Sequence, residues 1–168
     1  MNFMTETTEK INIRKATIED SDVLCNLIDA LAHYEKLIPP DAEAKERLKL
    51  DVCGPFPRIT AWLGEYEGKV VSYAITCFTY SSFLAKPTLY IEDIFVLPEY
   101  RKKGIGKALV NYCALVALQE DCGRMEFQVL DWNKPSIDFY EKLGAKHMKE
   151  WFPFRMEREA LIKLVNNA

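Results

Sequence analysis

The stretch from Leu89 to Leu118 constrains this chain more than any other. Leu89, Tyr90, Ile91, Ile94, Phe95 and Val96 form a strand-like apolar run, interrupted by two acids, Glu92 and Asp93. The run stops at Leu97-Pro98. The residues after it, Glu99-Tyr100-Arg101-Lys102-Lys103-Gly104-Ile105-Gly106-Lys107, make a turn rich in glycine and positive charge. Ile105, Leu109, Tyr112, Val116 and Leu118 then recur at helical spacing, in a helix expected to reach about Asp121. A strand that feeds a helix through glycines leaves the first helical amides unpaired. Together with the helix dipole they form an anion site suited to phosphate or pyrophosphate. Gly104 and Gly106 let the backbone approach a ligand with no Cβ in the way, and Arg101, Lys102, Lys103 and Lys107 crowd positive charge onto the same turn. The plain alternative is a strand–helix turn with a solvated basic face, because short glycine motifs are common.

The rest of the chain supplies a sheet and its covering helices. Ile11 to Lys15 alternates as a short strand. Thr17-Ile18-Glu19-Asp20 resembles a capping box, with Asp in place of Glu, and Leu24, Leu27, Ile28, Leu31 and Tyr34 follow at helical spacing. Pro39-Pro40 ends that helix, and Asp41 caps a second one to about Leu50. Ile59 to Tyr66 and Lys69 to Phe78 read as strands joined by the hairpin signal Glu67-Gly68. The strand with the two acids spans Thr88 to Val96, and Arg124 to Leu130 is another. Asn133-Lys134-Pro135-Ser136 opens a helix that Gly144 closes. Lys146 to Met156 is expected as a last strand, and Glu157 to Val165 has helical periodicity. The order β-α-α-β-β-β-α-β-α-β predicts an α/β (α+β) fold, a mixed sheet with helices on both faces.

Composition narrows the function. A chain of 168 residues is expected to form one domain over 1–168, with 1–10 as a flexible leader. A net charge of −3 argues against a nucleic-acid binder that works by neutralising phosphates. No apolar run approaches the ~20 residues of a membrane helix, and the polar start lacks a secretory h-region. Five cysteines, odd in number and without a C-x-x-C pair, suggest a reducing, cytoplasmic setting. His33 and His147 belong to no metal-spaced cluster, so no metal is expected.

The turn Arg101-x-x-Gly104-x-Gly106, after an Ile-Glu-Asp-Ile-Phe-Val strand, resembles the acetyl-CoA loop of the Gcn5-related N-acetyltransferases (GNAT). It is not the dinucleotide fingerprint, because position 109 is Leu. Asp131-Trp132-Asn133, Pro135-Ser136 and Phe139-Tyr140-x-x-x-Gly144-Ala145 are similar to the second cofactor region of that family. The likeness spans Ile11 to about Glu157. Within the family, Tyr90-Ile91-Glu92-Asp93-Ile94-Phe95-Val96 and Val129-Leu130-Asp131-Trp132-Asn133 look closest to the diamine acetyltransferases, the spermidine/spermine and thialysine enzymes. The resemblance implies a mostly antiparallel mixed sheet with a splayed cofactor cleft. Pantetheine would lie along Ile94, Phe95 and Val96. The pyrophosphate would sit on the turn formed by Arg101, Lys102, Lys103, Gly104, Ile105, Gly106 and Lys107. Asn133, Ser136 and Tyr140 would complete the cofactor site, and the enzyme would be a homodimer.

Two readings remain for each chemical residue. By helical spacing with Ile137 and Leu143, Tyr140 is a core residue; by resemblance it is the general acid for the leaving thiolate. Glu92 and Asp93 are either members of buried ion pairs or face a cationic substrate. An alkyl ammonium is only about 0.1% neutral at pH 7.4, a handicap of ~4 kcal/mol for a nucleophile. A carboxylate that attracts the ammonium and takes its proton answers that need. The resemblance makes Glu92 the base and Asp93 a substrate contact, with Glu150 and Trp151 as further substrate contacts. Ser81-Ser82 stands where the spermidine/spermine enzymes carry an acid, which points toward a short amine. The rival readings are a family member acting on a protein N-terminus, a lysine or an aminoglycoside, and a silent acyl-CoA-binding module.

Overall fold

Side-chain alternation sorts the sheet residues between two cores. The computed structural model describes residues 10–167; of the expected leader only Lys10 is among them, and the rest lies outside the described residues. The chain falls into two compact units, Met1–Gln128 and Val129–Ala168. The first holds strand β1 (Ile11–Lys15), helices α1 (Ser21–Glu35) and α2 (Ala42–Cys53), strands β2 (Thr60–Tyr66), β3 (Lys69–Ser81) and β4 (Lys86–Val96), helix α3 (Ile105–Gln119) and strand β5 (Arg124–Phe127). The strands lie in the order β1-β2-β3-β4-β5. The first three pairings are antiparallel and β4–β5 is parallel. Leu24, Leu27 and Val52 of α1 and α2 pack with Ala61, Leu63, Tyr73, Ile75 and Phe95 on one face. Leu109, Cys113 and Ala117 of α3 pack with Ala74, Leu89 and Ile91 on the other. Helices thus cover both faces, as expected.

The expected hairpin forms because Glu67 and Gly68 both take positive φ, 50° and 79°. That is the turn whose twist matches paired strands. β3 runs beyond the expected Phe78 to Ser81, because it pairs with β4 out to Ser81↔Lys86. No helix among the described residues is long and apolar enough to cross a membrane.

Arg14 ties the start of the chain to the sheet. Its Nη1 and Nη2 donate to both Asp20 oxygens at 2.7 and 2.8 Å, and its Nε donates to Glu65 Oε1 at 2.7 Å. Asp20 also accepts from the Thr17 amide at 2.8 Å, which is the reaching-back arm of the expected capping box. The Arg14 guanidinium, first of all, holds the Asp20 carboxyl well below the usual carboxylate range. A carboxyl lowered by folding stabilises the fold above its unfolded pKa of ~4, and the effect drains away as pH falls below that value. Arg14→Met leaves Asp20, whose side chain is 11% exposed, without its cation. The expected loss at neutral pH is roughly 1–3 kcal/mol, the lower part of the range reflecting the partial exposure of Arg14. Urea unfolding of both proteins at pH 7 and pH 3 checks this: the gap narrows at the lower pH.

The second unit holds α4 (Lys134–Lys142) and α5 (Arg158–Asn166). Two expectations are corrected here. Lys146 to Met156 forms no strand; the segment is irregular and every residue in it is exposed. Strand backbone needs a partner edge for its N–H and C=O groups, and Pro153 lacks an N–H to offer one. The strand expected to reach Leu130 stops at Phe127, the last residue paired with β4.

Candidate active site

β5 pairing ends beside the bulge that places the two acids. Along β4 the partners run Asp93↔Ile75 and then Ile91↔Thr76, so Glu92 is an extra, bulged residue. Ile91 and Ile94 therefore both face α3, three positions apart. Without the bulge Asp93 would point into the α3 core. With it, Asp93 turns toward the α1 face, where its Oδ2 lies 3.5 Å from the hydroxyl of fully buried Tyr73. β5 pairs with β4 only as far as Ile91, the residue before the bulge.

Beyond that point β4 has an open edge. The Leu97 amide donates to the Val71 carbonyl at 3.0 Å, so Leu97, Phe95 and Asp93 turn their backbone groups toward β3. Those of Ile94 and Val96 point the other way, to the side β5 has left. β4 thus carries, beyond Ile91, amides and carbonyls that β5 does not pair, at the place where the splay is expected. α3 begins directly after it. Gly104, at φ 87°, is its N-cap, a conformation that disfavours any side chain. Ile105 is buried and anchors the first turn. Lys102 and Lys107 are exposed around that helix start. Lys103 is committed elsewhere, with its Nζ 4.8 Å from the Tyr66 ring centre and 5.1 Å from that of Tyr100. Arg101 points its side chain inward, its Nε donating to the Val96 carbonyl at 3.0 Å.

The acids form a negative cluster. Burial pushes the Asp93 carboxyl up to about 6, and the charges of Glu92 and Glu35 add to the rise. Glu92 is exposed. Glu35, raised by burial, was missed in the sequence. The signal was there: it is the last residue of α1, where a negative charge opposes the helix dipole. Carbon NMR titration of the Asp93 carboxyl is expected to give a midpoint of about 6, and in Glu92→Gln that midpoint falls, because one of the charges that raise it is gone.

In the second unit, Asn133 caps α4, its Oδ1 accepting from the Ser136 amide at 3.4 Å, and it is buried. Tyr140 is buried too, its ring edge-on to Phe139 at 5.1 Å. Asn133, Ser136 and Tyr140 thus share one short helix and its cap. Glu150 and Trp151 lie in the irregular segment and are exposed.

A strand with an unpaired edge, followed by a glycine turn at a helix start, is the arrangement that the resemblance to the acetyl-CoA-binding family implies. A sequence model of the "Acetyltransferase (GNAT) family" matches residues 27–145, and the chain belongs to that family of acetyl-CoA-dependent acetyltransferases. The chain is 38% identical to a thialysine N-epsilon-acetyltransferase of Bos taurus over 165 residues, covering 92% of this chain and 96% of that one. It is 49% identical over 82 residues to an L-ornithine N5-acetyltransferase of Arabidopsis thaliana, covering 49% and 36% of the two chains. Among solved structures, AAC(6')-Iy in complex with the bisubstrate analogue CoA-S-monomethyl-acetylneamine superposes with a TM-score of 0.73 at 18% identity, covering 88% and 98%. That likeness is one of fold. The residues present fit acetyl-CoA: outward amides at Ile94 and Val96 suit the pantetheine arm, and the α3 start with Lys102 and Lys107 suits the pyrophosphate.

Proposed function

We propose that this protein acetylates a primary amine of a small substrate carrying a second positive charge, such as a short diamine or a lysine-, ornithine- or thialysine-like compound. The observation that carries the reading is the bulge at Glu92, which sets Glu92 and Asp93 with Glu35 as a carboxylate cluster on the strand that also forms the open cofactor edge. The named activities of the thialysine and ornithine relatives support it. Acetyl-CoA supplies the acetyl group as an activated thioester. Lys102, Gly104, Ile105, Gly106 and Lys107 hold its pyrophosphate and Ile94 and Val96 hold the pantetheine arm; Phe95, with its backbone turned to β3 and its ring in the α1-side core, stays out of that contact, and the family resemblance assigns the arm's remaining contacts to Asn133 and Ser136. The Ile94 amide polarises the thioester carbonyl, a donor typically worth ~3 kcal/mol of barrier. Glu92 removes the ammonium proton, Asp93 and Glu35 hold the distal charge, and Tyr140 protonates the leaving thiolate. Glu150 and Trp151 add substrate contacts. Transfer is direct: burial pushes the Cys113 thiol up to about 12 and raises that of Cys77, so neither is a ready nucleophile.

Thiol release from acetyl-CoA across monoamines, short diamines, lysine analogues, spermine and aminoglycosides tests this reading. Dications are expected to be preferred, and the preference is expected to shrink as salt shortens the Debye length from ~8 Å at 0.15 M. Spermine gains little over a short diamine, because Ser81-Ser82 lacks an acid. Equal rates with neutral monoamines and diamines, insensitive to salt, defeat the substrate assignment.

The two units are proposed to serve one catalytic domain in a cytoplasmic homodimer. Five free thiols fit a reducing compartment. Trp151, Phe152 and Phe154 are 74%, 79% and 97% exposed, an aromatic surface of the kind partner subunits cover. Light scattering at micromolar concentration is expected to give twice the 19.4 kDa chain mass; the single mass rejects the dimer.

A further inference from the structure

Arg101 is the arginine of the cofactor turn, yet its side chain is occupied inside the fold. Its Nε holds the Val96 carbonyl at 3.0 Å. That carbonyl is one of the groups on β4 that point away from β3, toward the open edge. The guanidinium carbon lies 4.5 Å from the centre of the Tyr34 ring and 5.4 Å from that of Phe95, within cation–π range. Tyr34 and Phe95 are themselves 6.2 Å apart, and both pack in the α1-side core. One side chain therefore touches three parts of the molecule: the end of β4, the turn before α3 and the last turn of α1. Tyr34 is the residue next to Glu35.

We infer that Arg101 is a positioning residue, a latch that joins the cofactor turn and the open end of β4 to the C-terminal turn of α1, so that the pyrophosphate site and the acid Glu35 are held as one body. Arginine suits this task where lysine does not. Its flat guanidinium can lie against two rings while Nε donates in the guanidinium's own plane, whereas an ammonium is a compact, strongly hydrated point charge. The latch also satisfies a strand carbonyl that β5 no longer pairs, and it places positive charge beside that acceptor at the mouth of an anion site. The link to Glu35 rests on the proposed diamine reading; the link between Tyr34 and the cofactor turn does not.

The test is a coupling measurement. Acetyl-CoA affinity is measured by calorimetry for Arg101→Lys, Tyr34→Leu, the double variant and Tyr34→Phe. Arg101→Lys keeps the charge but is expected to weaken acetyl-CoA about tenfold, a size typical of a lost desolvated cation–π contact with its hydrogen bond. Tyr34→Leu, on a different element, is expected to cause a similar loss, and the double variant binds no worse than Arg101→Lys alone. Tyr34→Phe keeps the ring face and binds as the parent does. With a diamine as acceptor, Arg101→Lys and Tyr34→Leu both raise the amine KM more than they lower kcat. Unchanged affinity in Arg101→Lys overturns the latch, as do additive losses in the double variant. If Tyr34→Leu does not fold, Arg101→Lys decides alone. If the parent enzyme shows no preference for diamines, the substrate reading fails, while the coupling in acetyl-CoA affinity still answers for the latch.

Discussion

Tyr140→Phe is expected to lower kcat by roughly 10²–10⁴-fold, the usual contribution of a positioned general acid. The substitution deletes one oxygen and leaves the buried ring against Phe139 in place. Thermal stability therefore changes little, by the ~1 kcal/mol of one hydrogen bond. Acetyl-CoA affinity is expected to hold, because the ring and the Asn133 cap of α4 remain. The split between a collapsed kcat and a preserved melting midpoint distinguishes an acid from a packing residue. A kcat close to that of the parent returns Tyr140 to the core.

Gly106→Glu is expected to weaken acetyl-CoA binding by about 10²–10³-fold. Gly106 is the second residue of α3. A glutamate there suits the positive end of the helix dipole, so the fold is expected to survive. The same carboxylate meets a pyrophosphate at the same amides, and like charges brought together cost several kcal/mol, with each 1.4 kcal/mol worth a factor of ten. Gly106→Ala adds bulk without charge and is expected to cost much less. Calorimetry with acetyl-CoA, alongside thermal melts by circular dichroism, checks the pair. Unchanged affinity in a folded Gly106→Glu protein removes the pyrophosphate from this turn.

Much of this molecule is local chemistry and so can be read from residue order. β1 occupies Ile11–Lys15, as its alternation predicts. Asp41 caps α2 through the Ala44 amide at 2.8 Å. Glu67 and Gly68 make the hairpin, and Gly104 takes the positive φ that a strand-to-helix turn requires. Each of these depends on a few neighbouring residues, and the glycine turn with its basic flank was recognisable for the same reason. The errors arose where structure depends on distant partners. Lys146 to Met156 carries apolar residues that suit a strand, but no edge pairs with it among the described residues. The extension of β3 to Ser81 is decided by the strand beside it.

Residue order carries the succession of elements as far as α4, the anion-binding turn and the presence of two acids in an apolar strand. It could not say which way those acids face, because a period of two sends adjacent residues to opposite sides of a sheet. Tertiary structure decided that. The register of β4 on β3 forces one extra residue at Glu92, and the bulge turns Asp93 away from α3 toward Tyr73 and the end of α1. The same packing brings Glu35 under the influence of that cluster from more than fifty positions away, and gives Arg101 two aromatic rings in place of solvent. Contacts of this kind join segments that sequence spacing does not relate, and only the packing of the whole sheet against its helices creates them.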